Sequence, residues 1–157
     1  VYRHRLIHGE VHDENTHLMG SVSGHAGIFS TAEDIAIYAQ MLVDGGKWKG
    51  KRFFKESQIV EFTTVQNLPE GSDLALGWDT PSQNGKSIAG DYFTPGSFGH
   101  LGFTGTSIWI DPNQEIIIVL LTNRVHPSRK GDEGSREMYG IRRKFYNNIM
   151  AQLVAEK

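Results

Sequence analysis

The chain is 157 residues long, close to the usual size of one domain and enough to bury a hydrophobic core. Its composition, 38% apolar and 22% charged residues, is that of a globular protein and excludes a disordered, collagenous or membrane-spanning chain. A net charge of −2 without a basic cluster gives no reason to expect a nucleic acid partner, and the lack of cysteine excludes disulfides, thiolate metal sites and a cysteine nucleophile.

Residues 1–29 are predicted to form a loop. They are rich in Gly, His and polar side chains and show no sustained helical or strand period. They begin without Met and without a charged segment leading into an apolar core, so we expect the chain to start within a longer protein. The longest apolar run, residues 116–121, is far shorter than the roughly 20 residues of a membrane span.

A helix is predicted over residues 31–44. At its start Ser30 precedes Glu33 by three positions, which is the arrangement of a capping box. At its end Gly45 and Gly46 supply a left-handed stop. Between them apolar side chains recur with the helical period, at Ile35, Tyr38, Ala39, Leu42 and Val43.

The next segments are less regular. Residues 48–54 favour a short extended piece, and residues 55–62 show a second, shorter helical pattern. Residues 66–99 are rich in Pro, Gly, Ser and Asp and predict a long loop, interrupted by an apolar segment at residues 74–78. Long irregular loops of this kind often have a function.

Three strand-like segments follow at residues 98–103, 106–110 and 115–122, and they predict an antiparallel meander. A final helix over residues 135–155 should pack on that sheet through an apolar stripe. The fold class is therefore α+β, a three-stranded meander with a C-terminal helix packed on it and a preceding helical and loop region. The stripe consists of Met138, Ile141, Phe145, Ile149 and Leu153.

The segment at residues 116–121 is apolar at both odd and even positions, so both faces of that strand should be covered. This pattern predicts a central strand with a neighbour on each side. The meander supplies only one neighbour, and we expect the other from sequence outside this chain. The alternative is that part of residues 1–29 or 48–54 pairs there instead.

Residues 99–105, GHLGFTG, have a pattern suited to acyl transfer. Such a reaction needs hydrogen-bond donors where negative charge develops, and backbone N–H groups at an exposed strand edge supply them without reorganisation. Gly102 would let a substrate approach the strand closely. A single strand histidine followed by glycine more often has a structural role than a catalytic one. This motif therefore indicates a catalytic role only together with other matching stretches.

Two further stretches give that context, GHAGIFSTAEDI at residues 24–35 and LGWD at residues 76–79. In this order and spacing the three stretches resemble the serine β-lactamase and penicillin-binding-protein superfamily, in particular the class C enzymes and related esterases and peptidases. The resemblance extends over residues 10–150. It implies that residues 1–157 are the C-terminal part of one such domain, without the N-terminal part that carries the nucleophile.

The resemblance also implies site residues. His100 takes the place where many relatives have lysine, and it can donate to a substrate carboxylate or take part in proton transfer. Phe103 would offer one N–H of the oxyanion hole, and these two are the candidate catalytic residues. Leu101, Gly102 and Thr104 are the candidate substrate-binding residues.

The family nucleophile lies in a Ser-x-x-Lys motif, in which lysine helps to deprotonate the serine. No serine of this chain has lysine three positions later. Two formal matches to the second family motif, Tyr-x-Asn or Ser-x-Asn, are interpreted as accidental. They begin at Tyr146, inside the terminal helix, and at Ser82, in the long loop.

No metal and no cofactor are predicted. His12, Asp13, Glu14 and His17 include possible ligand types, but their spacing matches no specific metal motif. His25, between glycines, is interpreted as a structural residue of its loop.

These observations predict a segment of a serine hydrolase that acts on an ester, a peptide or a β-lactam through an acyl-enzyme, with a small-molecule or peptide-like substrate. The segment alone should be inactive and could self-associate in place of its missing N-terminal half. The resemblance further implies a periplasmic or cell-envelope setting. The alternative is a non-catalytic binding module that keeps the fold and has lost the nucleophile.

Overall fold

The structure is a computed structural model that describes residues 3–82 and 87–155. It contains two compact units, Val1–Thr31 and Ala32–Lys157. The first unit holds α1 (Glu14–Leu18). The second holds, in chain order, α2 (Ala32–Val43), β1 (Lys47–Trp48), β2 (Lys51–Arg52), α3 (Glu56–Thr63), β3 (Phe98–Leu101), β4 (Ser107–Asp111), β5 (Ile116–Leu120) and α4 (Gly131–Ala155).

The first unit is less irregular than the sequence predicted, because it contains the short helix α1. Asp13 caps this helix by accepting the Thr16 backbone N–H at 2.8 Å, and Glu14 places negative charge in the first turn. A helix of this length spans little more than one turn and leaves no repeating pattern in the sequence. The interpretation of residues 1–29 as loop alone was therefore wrong at α1.

The predicted meander is confirmed. β3, β4 and β5 form one antiparallel sheet in that order. β3 is two residues and β5 three residues shorter than predicted, whereas β4 has the predicted length and is shifted by one residue. The segment at residues 48–54 is a separate two-stranded hairpin of β1 and β2. Its turn residues Lys49 and Gly50 both have positive φ, 47° and 78°, as a tight two-residue hairpin turn requires.

The two faces of the three-stranded sheet have separate cores. On one face Trp109, Ile116 and Ile118 cluster with Tyr146 and Met150 of α4. On the other face Phe98 and Ile110 cluster with α2 through Ala39, Met41 and Leu42. The predicted packing of the terminal helix on the sheet is thus confirmed.

The predicted contact stripe of α4 needs correction. Among its members Met138 is buried, but Ile141 is 48% exposed and Leu153 is 39% exposed. The buried face runs instead through Gly134, Met138, Arg142, Tyr146 and Met150, at every fourth residue. The sequence pattern failed because this face includes a charged and a phenolic side chain, which count as polar in a hydrophobicity pattern.

β5 is not a central strand within residues 3–82 and 87–155, where it pairs with β4 alone. Its two faces are covered by helices, since Ile118 lies in the core with α4 and α2 packs on β5 from the other side. The continuous apolar run therefore reflects a sheet between two helices. Residues 48–54 do not pair with β5, and a partner strand from outside this chain remains a prediction.

No helix in the described part of the chain is both long and apolar enough to cross a membrane.

Candidate functional site

The candidate site lies where β3 ends. β3 is held to β4 by antiparallel pairs that include His100 with Ile108 and Leu101 with Ser107. Gly102 continues this ladder, because its N–H donates to the Thr106 carbonyl at 2.8 Å. The Gly102 carbonyl accepts the Gly105 N–H at 3.0 Å inside the β3–β4 turn. Because the C=O and N–H of one trans peptide point in opposite directions, the Phe103 N–H is directed out of the turn.

That outer edge is partly occupied at its beginning. Gly99 and Asp79 form an antiparallel bridge with two backbone hydrogen bonds, at 2.8 and 2.9 Å. The LGWD motif therefore lies directly beside the strand that carries the GHLGFTG motif. Burial raises the pKa of the Asp79 carboxyl, the nearby His100 acts in the opposite direction, and Asp73 acts in the same direction as burial.

His100 has an exposed side chain. Its Nδ1 lies 2.9 Å from the carbonyl oxygen of Leu101. Because a carbonyl oxygen only accepts, Nδ1 carries the hydrogen of this bond, and the neutral ring then presents Nε2 as a proton acceptor. The ring is thus oriented by its own strand, and Nε2 takes no part in this hydrogen bond.

Leu101, Gly102 and Phe103 line a cavity of about 190 Å³ between the end of β3 and the start of α4. A typical small-molecule pocket is larger, roughly 300 to 1,000 Å³, so this cavity could hold only part of a substrate. His100 is not among its lining residues. Strand alternation places His100 on the sheet face of Phe98, the face that α2 covers.

Gly102 has a packing reason to be glycine. A Cβ atom at this position would collide with the side-chain hydroxyl of Thr106, the residue before β4. The sequence interpretation gave only close substrate approach as the reason. Thr104 is the remaining predicted residue, and it lies in the β3–β4 turn, where its carbonyl accepts the Arg124 N–H at 2.8 Å.

The Phe103 ring is enclosed by two cations. The guanidinium groups of Arg124 and Arg129 lie 4.5 and 4.6 Å from the ring centroid. Arg124 also donates from Nε to the Phe103 carbonyl at 2.6 Å. Cations within about 6 Å of an aromatic face are attracted to it. Phe103 is therefore held at its ring and at its carbonyl.

The structure explains one of the two formal matches to the family's second motif. The Tyr146 hydroxyl is fully buried and hydrogen-bonded to Ser107 Oγ at 2.5 Å, as a core residue of α4. The accidental interpretation of this match is consistent with that position. The other match begins at Ser82, and its residues 83 and 84 lie outside the described part of the chain.

The first unit contains a hydrogen-bonded group of its own. His25 contacts Ser23 Oγ through Nδ1 at 2.7 Å and Asp13 Oδ1 through Nε2 at 3.0 Å. Hydrogen bonding from the Thr16 backbone lowers the pKa of Asp13, and His25 contributes less. Ser23 and His25 are neighbours in one loop, and Asp13 caps α1. The group therefore ties the GHAG loop to the start of α1.

Comparison with known proteins supports the resemblance seen in the sequence. A sequence model of the β-lactamase family matches residues 2–139. A relative from Salmonella agona (strain SL483), named as a D-alanyl-D-alanine carboxypeptidase, is 38% identical over 129 residues. A relative of the same name from Salmonella enteritidis is 37% identical over the same length. These alignments cover 79% of this chain and 29% of each relative, so the chain spans under a third of their length.

A solved structure shows the same fold. It is a β-lactamase from Mycobacterium bovis, which matches 82% of this chain and 46% of its own length. The TM-score is 0.58 and the sequence identity is 23%.

Proposed function

The chain belongs to the β-lactamase family of serine hydrolases, and from that premise we propose that it forms the C-terminal part of a domain that cleaves acyl compounds through an acyl-enzyme. The observation that carries this proposal is the geometry at the end of β3. There the Gly102 carbonyl accepts the Gly105 N–H inside the turn, so that the Phe103 N–H of the same peptide faces out of the turn, where an oxyanion could accept it.

His100 has two possible roles in this reaction. Its Nδ1 is engaged by the Leu101 carbonyl, so Nε2 is the atom that meets the substrate or the nucleophile. As an acceptor, Nε2 can take a proton in the acylation or deacylation step. In the protonated ring it donates to a substrate carboxylate instead. Leu101, Gly102 and Thr104 then form the strand and turn against which the substrate lies.

The substrate class comes from the relatives. The relatives are named as D-alanyl-D-alanine carboxypeptidases. We therefore propose that the substrate of the intact protein is a peptide that ends in D-alanyl-D-alanine. Esters and β-lactams remain candidate substrates, because all three classes react through the same acyl-enzyme.

The nucleophile is proposed to come from sequence that precedes this chain. No serine here has lysine three positions later, and the chain matches only 29% of each carboxypeptidase relative. We therefore propose that residues 1–157 supply the oxyanion edge and His100, while a preceding part of the same domain supplies Ser-x-x-Lys.

Acylation tests this proposal. The intact protein should gain the mass of one acyl group when it is incubated with nitrocefin or p-nitrophenyl acetate, and the 157-residue chain alone should show neither an adduct nor turnover above background. Turnover by the isolated chain that one Ser→Ala change abolishes would place a complete site within it. An intact protein that binds β-lactams without acylation would be a binding module that has lost its nucleophile.

Self-association of the isolated chain is a second expected result. No strand of residues 3–82 and 87–155 pairs with the outer edge of β5. The backbone N–H and C=O groups of such an edge can pair with a strand of another chain. At micromolar concentration, light scattering should detect dimers or larger species. Leu121 lies just after β5 and is 44% exposed, so Leu121→Lys should weaken association. Leu153 lies on α4 and is 39% exposed, and the control Leu153→Lys should leave association unchanged. A monomeric wild-type chain would contradict the expectation.

A further inference from the structure

Arg142 is a buried cation that binds the turn next to the candidate site. It lies in α4 and is 4% exposed. Its Nη2 donates to the carbonyls of Gly102 at 2.9 Å and Thr106 at 2.7 Å, and its Nε donates to Gly105 at 3.2 Å. Burial lowers the pKa of Arg142, since a cation is less stable away from water. These carbonyl bonds therefore stabilise a charge that burial disfavours.

One of these bonds fixes the peptide that carries the oxyanion donor. The Gly102 carbonyl and the Phe103 N–H belong to the same planar trans peptide, in which C=O and N–H point in opposite directions. Because Arg142 holds the carbonyl on the side of α4, the N–H points away from α4. The Gly105 N–H also donates to the Gly102 carbonyl, at 3.0 Å, so the Phe103 N–H points away from the interior of the turn as well.

The turn needs such a clamp because of its sequence. Gly102 and Gly105 both lack a Cβ atom, and Gly105 has a φ of +106°. Glycine populates several backbone conformations at little cost, and the backbone bond that the structure gives for the Gly102 carbonyl comes from the N–H of the other glycine, Gly105. Arg142 contacts the carbonyls at both glycines and at Thr106, which brackets the turn.

We propose that Arg142 is a positioning residue for acyl transfer: it orients the Gly102–Phe103 peptide and, by its charge, polarises that peptide so that the Phe103 N–H is a stronger donor to the oxyanion. The inference rests on the proposed function. A hydrogen bond to the carbonyl of an amide strengthens the donor at the other end of the same amide. The effect belongs to the transition state, where the oxyanion carries most charge.

Variants of the intact protein test this role. Arg142→Met should lower kcat about 10- to 100-fold with KM changed by less than about threefold, somewhat below the loss of a whole oxyanion donor. Affinity for a boronic acid, which mimics the tetrahedral species, should fall in parallel with kcat/KM. Arg142→Lys, which keeps the charge and one or two donors, should recover part of the loss. Arg143→Met is the matched control, because Arg143 bonds Ser87 and Asp91 instead.

A second measurement separates this inference from the proposed function. The amide resonance of Phe103 should shift, and its hydrogen exchange should accelerate, in Arg142→Met and less in Arg142→Lys, while Arg143→Met leaves both unchanged. If the wild-type protein neither turns over substrate nor becomes acylated, the proposed function fails and the amide measurement still decides the orientation. An unchanged Phe103 amide in a folded Arg142 variant, or an equal loss of kcat in Arg143→Met, would overturn the role of Arg142. If Arg142→Met does not fold, Arg142→Lys alone decides by the same two readouts.

Discussion

His100→Ala is expected to lower kcat/KM of the intact protein by roughly ten- to a thousandfold, the range for losing one positioned donor or proton-transfer group. Stability should change little, because the His100 side chain is exposed and its hydrogen bond within the described part of the chain goes to the neighbouring Leu101 carbonyl. Initial rates with a D-alanyl-D-alanine peptide and with nitrocefin would measure the loss. Circular dichroism would confirm that the variant is folded.

Two further variants make the result specific. His126→Ala removes another exposed histidine, from the loop after β5, and should leave kcat/KM unchanged. His100→Lys keeps a donor but cannot accept a proton while it is charged. Retained activity in His100→Lys would assign a donor role, and loss equal to that of alanine would assign proton transfer through Nε2. Wild-type kinetics in His100→Ala would make His100 structural and contradict the interpretation of the motif.

Local patterns were sufficient to predict much of the fold. α2 begins at Ala32, one residue after the predicted start, and ends at Val43 before two glycines with φ of 62° and 86°. The meander and the existence of the helix α4 also followed from apolar periodicity, although the face of α4 that packs on the sheet did not. These elements share one property, since each is specified by residues within a few positions of one another.

Features set by tertiary contact could not be predicted in the same way. The face of α4 that packs on the sheet includes Arg142 and Tyr146. These polar side chains can be buried there because the fold places hydrogen-bond partners next to them. Tyr146 is satisfied by Ser107, and Arg142 by carbonyls of the β3–β4 turn. Buried polar groups of this kind are acceptable only when they are hydrogen-bonded, and a pattern of hydrophobicity contains no information on such partners.

The candidate site shows the same division. The motif residues His100 and Gly102 were found because they are adjacent in sequence. The side chains that hold the turn in place come from elsewhere in the chain: Arg124 from the segment after β5 and Arg142 from α4. A sequence signal for Arg142 does exist, because it lies four residues from Met138 and from Tyr146 on one helical face. Its meaning depends on the sheet beneath it.

Trp109→Ala is expected to have the largest effect on stability, a loss of about 3 to 5 kcal/mol in the free energy of unfolding. Trp109 is 1% exposed in the middle strand, with its ring 5.6 Å from the Phe93 ring and in the core with α4. It faces Gly99 across the β3–β4 pair, and a Cβ atom at Gly99 would meet the indole ring. Urea denaturation of the intact protein, followed by circular dichroism, measures the change.

Trp109→Phe separates the two contributions of this side chain. The indole Nε1–H is buried without a hydrogen-bond partner among residues 3–82 and 87–155, and an unpaired buried donor costs about 1 to 3 kcal/mol. Phenylalanine keeps most of the ring contacts and removes that donor, so the net loss should not exceed about 1.5 kcal/mol. If Trp109→Ala and Trp109→Phe lose the same free energy of unfolding, the indole N–H has a partner in the intact protein. If Trp109→Ala loses less than about 1 kcal/mol, the central position of Trp109 in this core is contradicted.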